Sequence, residues 1–188
     1  MTSVDDLWYL ADEADQQAER TYHDLGERYD DFRTFETTKH VSRRRFRTVA
    51  ERIRENGAPY GTHTLVTNDS GGLLLVRHDA VGMWVLPGGE TRSEETFRDG
   101  AERELREEAG ITAEYGGLGL LGTVTFESGD HTTWGVLPML EAAAEASATE
   151  PTVEDPDDEI SAARWFKELP ADTRDREELL RWRERRSD

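Results

Sequence analysis

Between positions 103 and 108 the chain reads Arg103-Glu104-Leu105-Arg106-Glu107-Glu108. On a helix, at about 100° per residue, Arg103, Glu104, Glu107 and Glu108 fall on one arc, because i, i+3 and i+4 neighbours share a face. Three carboxylates held within about 6 Å of one another repel, and such a cluster costs stability unless a cation sits among them. Oxygen donors with no Cys or His beside them favour Mg²⁺ or Mn²⁺ over Zn²⁺. Mg²⁺ keeps several of its waters and shares its shell with substrate phosphates, and a retained water can serve as nucleophile. Taken alone, the four residues fit equally well an exposed charged helix in which Arg103 and Glu107 form an ordinary i,i+4 pair.

The helix that must carry this arc is expected over residues 94–109. Phe97, Ala101, Leu105 and Ala109 recur every four residues as an apolar stripe suited to packing on a sheet. Ser93 is the expected N-cap, with Glu94 and Glu95 in the first turn, and Gly110 the expected left-handed C-cap. Helical spacing sets Glu95 about half a turn from Glu104, which gives it a supporting role rather than a place on the arc. Gly100, mid-helix, costs about 0.5–1 kcal/mol against Ala. It is read as clearance for substrate or for the loop bearing Gly88-Gly89.

The full run is Gly89, five residues, Glu95, seven residues, then Arg103-Glu104-Leu105-Arg106-Glu107-Glu108-Ala109-Gly110-Ile111, preceded by Trp84-Val85-Leu86-Pro87-Gly88. It resembles, at every fixed position, the box of the Nudix hydrolases, G-x5-E-x7-R-E-U-x-E-E-x-G-U with U aliphatic, and the resemblance extends over about residues 60–170. It implies an α/β/α sandwich with a mixed sheet. It also implies a Mg²⁺- or Mn²⁺-dependent hydrolase that cleaves a nucleoside diphosphate linked to another moiety, with a small nucleotide or nucleotide-sugar as substrate. Carried over residue by residue, it makes Arg103, Glu104 and Glu107 catalytic. Gly88, Glu104, Glu107 and Glu108 become metal ligands, with Gly89 and Glu95 behind them. Many members add an acid from a late loop; among Glu154, Asp155, Asp157, Asp158 and Glu159, the choice is Glu159, just before Ile160. Members differ on whether the glutamate corresponding to Glu104 or a loop acid takes the proton from water. Two substrate markers of the family are missing: Phe126, Glu127 and Ser128 stand where some members have a proline or a tyrosine. The non-enzymatic alternative is a nucleotide-sensing module that kept the fold and uses its N-terminal helices as a partner surface; the intact Arg103, Glu104, Glu107 and Glu108 speak against it.

Composition bounds these readings. A chain of 188 residues makes one ordinary domain with an appendage. No run of 18 apolar residues offers a membrane span, and Met1–Asp6 lacks the basic start and apolar stretch of a signal peptide, so the expected location is the cytoplasm. The absence of cysteine excludes disulfides, thiol catalysis and thiolate metal sites. The net charge is −18, and Lys39 and Lys167 are the only lysines. Dense carboxylates keep a protein soluble when salt screens charge, so an origin in high salt is expected. The same charge argues against general nucleic-acid binding, whereas bound metal and local arginines can still admit a phosphorylated small molecule.

The expected domains are an N-terminal helical hairpin over 1–57 and the catalytic domain over 58–188. Val4, Leu7, Trp8, Ala11, Ala14, Ala18, Tyr22, Leu25, Tyr29 and Phe32 mark a long amphipathic helix capped by Ser3. Residues 34–38 read as a break. Ser42 caps a second helix with Phe46, Val49, Ala50 and Ile53 inside, ended by Asn56-Gly57 and Pro59. These apolar stripes must pack on the sandwich or on a second copy of the chain, which allows a homodimer. Strands are expected over 62–67, 73–77, 118–126, 132–140 and 163–166, a solvated loop over 141–158, and a last helix capped near Asp172 or Thr173.

Several other residues have two readings. Arg43-Arg44-Arg45-Phe46-Arg47, with Arg52 and Arg54, can hold phosphate or RNA, or pair with the acidic first helix; the pairing is preferred. Trp84 and Trp134 can stack on a base or pack in the sheet. Arg77, at a strand end, can contact a substrate phosphate or be an ordinary surface charge. His63, His78 and His131 lack metal-ligand spacing and read as surface or turn residues.

Overall fold

The computed structural model describes residues 4–147 and 150–187. They form four helices and eight strands in a mixed α/β fold, divided between two compact units. The first unit comprises Met1–Gly61 and Leu120–Pro138, the second Thr62–Gly119 and Met139–Asp188.

In the first unit, α1 (Val4–Arg28) packs against α2 (Arg43–Asn56). The expected caps of α2 are present: the Ser42 hydroxyl accepts from Arg45 N, and Gly57 is left-handed at φ 87°. The Ser3 cap expected for α1 lies outside the described residues. The expected break between the helices is instead a strand, β1 (Arg33–His40). It pairs in parallel with residues 120–127 of β6 (Ala113–Ser128). Thr34, Thr37 and Thr38 favour the extended backbone, but Phe35 is the one large apolar side chain in the strand, too little for an alternating hydrophobic signal.

Leu7, Ala11, Ala14 and Ala18 of the expected α1 stripe meet Phe46, Val49, Ala50 and Ile53 of α2 in one core with Val124, Phe126 and Leu137 of the strands. Leu10, outside that stripe, joins them, whereas Trp8 is 50% exposed and Tyr29 and Phe32 lie past the end of α1. Asp15 fastens α1 to β7 (His131–Ala144), its carboxylate accepting from Thr133 Oγ1 at 2.8 Å and Trp134 N at 3.2 Å. Trp134 meets the edge of Tyr22 at 6.3 Å, and His131 is buried between Trp8 and Phe46 rather than lying at the surface. Replacing the fully buried Phe46 by Ala should cost about 3–5 kcal/mol. Urea unfolding measures this, and a loss below about 1 kcal/mol would contradict the packing described. Deleting residues 1–56 strips the cover from Val124, Phe126 and Leu137 and should cost solubility.

In the second unit, β2 (Thr62–Thr67) pairs in parallel with residues 139–143 of β7 and in antiparallel fashion with β3 (Leu73–His78) and β5 (Gly88–Gly89). β3 in turn holds β4 (Met83–Val85) and β8 (Ile160–Phe166). The two faces of β2 separate by residue parity, as a pleated strand requires. Val66 packs with Leu105 and Ala109 of α3 (Phe97–Ala109). Leu65 faces the other way, where bare Gly119 leaves room for Trp182 of α4 (Arg176–Ser187). The second unit is thus a sheet between two helices. Among the described residues, no helix is long and apolar enough to cross a membrane.

Two helix starts differ from expectation. α3 begins at Phe97, not Glu94. Thr96 is its N-cap and forms a reciprocal capping box with Asp99, whereas Ser93, Glu94 and Glu95 lie in the turn before it. α4 begins at Arg176, because Thr173 closes a turn on the Pro170 carbonyl instead of capping the helix. Gly110 is the left-handed C-cap expected of it, with φ 63°.

Candidate active site

α3 buries Ala101, Leu105 and Ala109 against the sheet, and this fixes which face carries the charged arc. Arg103 is the hub. Its Nε and Nη2 grip both oxygens of Glu95 at 2.7 and 2.9 Å. Nη1 donates to Glu104 at 2.6 Å and to Glu107 at 3.3 Å, and Nη2 donates also to the Glu90 carbonyl at 2.9 Å. Paired, two-pronged contacts of this kind hold a guanidinium in one orientation. Glu95 therefore acts through Arg103, reaching it from the preceding turn. The Arg103 hydrogen bonds hold its carboxyl down at about 2, with help from Arg92 N–H. Arg103 is pushed in the opposite direction, above its already high value, first by Glu95 and then by Glu104.

Glu108 turns inward and is only 8% exposed. One oxygen accepts from Gly88 N at 2.9 Å, and burial pushes its carboxyl up to about 9 against that bond. Burial also raises Glu104, against the Arg103 contact that lowers it. Gly89 stands directly over Glu104: a Cβ at Gly89 would lie 2.9 Å from the carboxylate. At Gly88 a Cβ would lie 2.2 Å from the Thr62 carbonyl oxygen and 2.7 Å from His63 Cα. Both glycines let the β5 backbone reach the carboxylates. Gly100 gives clearance too, to the Thr91 methyl at 2.7 Å from a built Cβ, in the loop after Gly89.

The late acidic loop is tied to this helix by its backbone. Thr152 N donates to the Ala109 carbonyl at 2.7 Å, and Glu154 N to the Glu107 carbonyl at 3.0 Å. Asp155 and Glu159 thereby act electrostatically on Glu108, and Asp157 on Glu104. The Asp155 carboxylate accepts from Glu159 N at 2.6 Å and from Ile160 N at 2.9 Å, so it organises the turn. Glu159 reaches His78 at 3.4 Å. The sequence carried a signal for Asp155 in its Asp-Pro-Asp-Asp turn pattern; it carried none for the backbone bonds to α3.

Arg77 and Trp84 are both engaged within the protein. Arg77 pairs with Asp172 and lies over the Trp84 ring, Phe166 meets that ring edge-on at 4.8 Å, and Arg164 covers it as well. His63 is half-buried beside Gly88 rather than fully at the surface, and burial of its ring followed by the nearby Arg174 charge lowers its pKa to about 4, so the ring is neutral near pH 7.

Among the described residues, no three acidic or imidazole groups already form a closed metal cage; Arg103 Nη1 stands between Glu104 and Glu107. The donor set nevertheless suits a hard divalent cation. It consists of oxygens only, it includes a buried carboxylate paired with a single backbone N–H, and bare Gly89 keeps side-chain bulk away from the Glu104 carboxylate.

Residues 58–183 match the family described as the NUDIX domain. A putative 8-oxo-dGTP diphosphatase of Bacillus subtilis is 31% identical over 90 residues, which are 47% of this chain and 60% of that protein. An uncharacterized Nudix hydrolase of the same organism, YvcI, is 40% identical over 67 residues, 36% of this chain and 41% of that protein. The chain thus spans 60% or less of the length of these two curated relatives. A NUDIX-family hydrolase from Clostridium perfringens shares the fold at a TM-score of 0.50 and 16% identity, over 65% of this chain and 92% of that one.

Proposed function

We propose, from the premise that the chain belongs to the NUDIX family, that it is a divalent-metal-dependent pyrophosphohydrolase acting on a nucleoside diphosphate linked to another moiety. The observation that carries this is the gathering of Arg103, Glu104, Glu107 and Glu108 on one face of α3 beneath the bare Gly88-Gly89 backbone. Gly88, Glu104, Glu107 and Glu108 would hold Mg²⁺ or Mn²⁺, with Glu159 as the loop acid. When bound, the ion neutralises substrate phosphate oxygens and makes water a better nucleophile.

The chain's own residues do the rest. Glu95 holds Arg103 in place, and Arg103 sets the angle of Glu104 and Glu107. Gly88 N–H orients Glu108. Glu104, kept more basic by its burial, is suited to accept a proton from water. The substrate class rests on the similarity to the Bacillus subtilis diphosphatase, which covers under half of this chain.

The test is a panel of nucleoside triphosphates, oxidised deoxyguanosine triphosphate, ADP-ribose and nucleotide sugars, assayed with Mg²⁺ or Mn²⁺ for release of pyrophosphate or monophosphate. Turnover is expected only with metal, and should fall at least tenfold in Glu107→Gln. Full activity in EDTA would overturn the reading. A panel run in dilute buffer and in molar KCl also tests salt adaptation. With 41 acidic against 23 basic residues, Tm should rise steeply with KCl as screening relieves self-repulsion; a flat Tm would require another reason for the acidity.

A further inference from the structure

The basic run of α2 is not absorbed by the acidic helix beside it. Arg54 reaches Glu13 at 3.4 Å. Arg43, Arg44 and Arg47 are exposed, and none of them contacts an acidic side chain among the described residues. Arg45 lies over the Tyr60 ring beside Lys39. Three arginines occupy the first turn of α2, with no acidic residue there. That end of a helix is partially positive, so cations placed there cost stability. In a chain of net charge −18, so many unneutralised cations in one turn mark a surface shaped for something negative.

The complementary surface lies on α1. Asp6, Tyr9, Asp12 and Glu13 share an arc by helical spacing. Tyr9 is 73% exposed and Trp8 beside it 50%. Aromatic side chains ringed by carboxylates are suited to receive arginines, by cation–π contact and ion pairing together. A polynucleotide fits the basic patch less well. The Tyr60 ring, already occupied by Lys39, Arg45 and the edge of Phe126, offers no free stacking platform, and the net charge repels a phosphate backbone.

We infer that the α1–α2 face of the first unit binds the same face of a second copy, with the Arg43–Arg44–Arg47 arc of each copy seated on the Asp6–Tyr9–Asp12 arc of the other. A two-fold axis makes the contact self-complementary and closes it at two chains. Each copy then covers the aromatic and the basic surfaces that its partner leaves open.

Light scattering on a sizing column, at concentrations up to about 0.5 mM, should give about twice the 21.4 kDa of one chain. Arg43→Glu/Arg44→Glu/Arg47→Glu should be monomeric, and so should Asp6→Arg/Asp12→Arg, which leaves the Arg54–Glu13 pair intact. All five positions are exposed, so both variants should keep the wild-type circular dichroism and melting curve. Mixing the two restores opposite charges at both contacts and should regenerate a dimer. A monomeric wild-type protein would overturn the inference, as would a dimer that survives the triple reversal, or two folded variants that fail to pair on mixing. Anisotropy of a labelled single-stranded oligonucleotide decides the rival occupant. Binding that needs Arg43, Arg44 and Arg47, by a wild-type protein that stays monomeric, would assign the patch to nucleic acid instead.

Discussion

Glu108→Gln is expected to make the metal-free protein more stable at pH 8 while removing most of its turnover. The buried carboxyl of Glu108 has its pKa raised from 4.5 to about 9. Below about pH 4.5 the folded and unfolded chains both carry the proton. Above that, the unfolded chain releases it while the folded chain retains it. The stability this proton brings is therefore complete below pH 4.5 and is lost as pH rises toward 9. By pH 8 the loss is of the order of a few kcal/mol. Glutamine stays neutral throughout and still offers an oxygen to Gly88 N–H. Its unfolding free energy should vary less over this range and exceed that of the wild type at the alkaline end. A cation beside Glu108 favours the ionised form, so Mg²⁺ affinity of the wild type should rise with pH, with proton release on binding. Chemical unfolding at pH 5, 6.5 and 8 with and without Mg²⁺, together with the hydrolysis assay, measures both effects. Equal pH dependence in the two proteins would show that Glu108 is not the group responsible, and unimpaired hydrolysis would remove it from the metal site.

Gly88→Ala is the second substitution with a large expected effect. The new methyl would meet the Thr62 carbonyl oxygen at 2.2 Å and His63 Cα at 2.7 Å. These are backbone atoms of a central strand and cannot swing aside. The short β5–β2 pairing must open, and with it goes the bond from Gly88 N to Glu108. Overpacking costs about 1–3 kcal/mol, and a buried donor or acceptor left without its partner about 1–3. A stability loss of about 3 kcal/mol or more is expected, with at least a tenfold fall in turnover. Gly71→Ala, at a turn where a Cβ meets nothing within 4 Å but φ is 79°, serves as the control for backbone strain without collision. If Gly88→Ala were no worse than that control, the close approach would not matter.

The α3 region was legible because its signals repeat. The apolar residues at every fourth position set the buried face, and the charged arc follows from the same geometry. Ser93 misled because it precedes two acids, as a capping residue often does; Thr96 prevailed because Asp99 closes the reciprocal box from three residues on. β1 escaped notice for want of apolar alternation, and β5 because two glycines carry no side-chain pattern at all. The angle of Glu95 implies a supporting role, but its two-pronged grip on Arg103 depends on a turn whose shape no periodicity reveals. Nothing in the sequence sets His63 or His131 apart from a surface residue, because a lone histidine has no spacing to betray its surroundings. Arg77 and Trp84 show the same limit: their neighbours Asp172 and Phe166 are distant in sequence and come together only in the fold.

The attachment of residues 152–154 to the last turn of α3 has a kinetic consequence. The amide protons of Thr152 and Glu154 are sheltered by carbonyls of the same helix whose side chains form the candidate site. Their exchange with deuterated solvent therefore clocks how often the acidic loop lifts away from the helix. An ion that drew Glu108 and Glu159 together would slow that lifting, so two peptide amides outside the ligand set would report occupancy on a time axis, without any substrate being present.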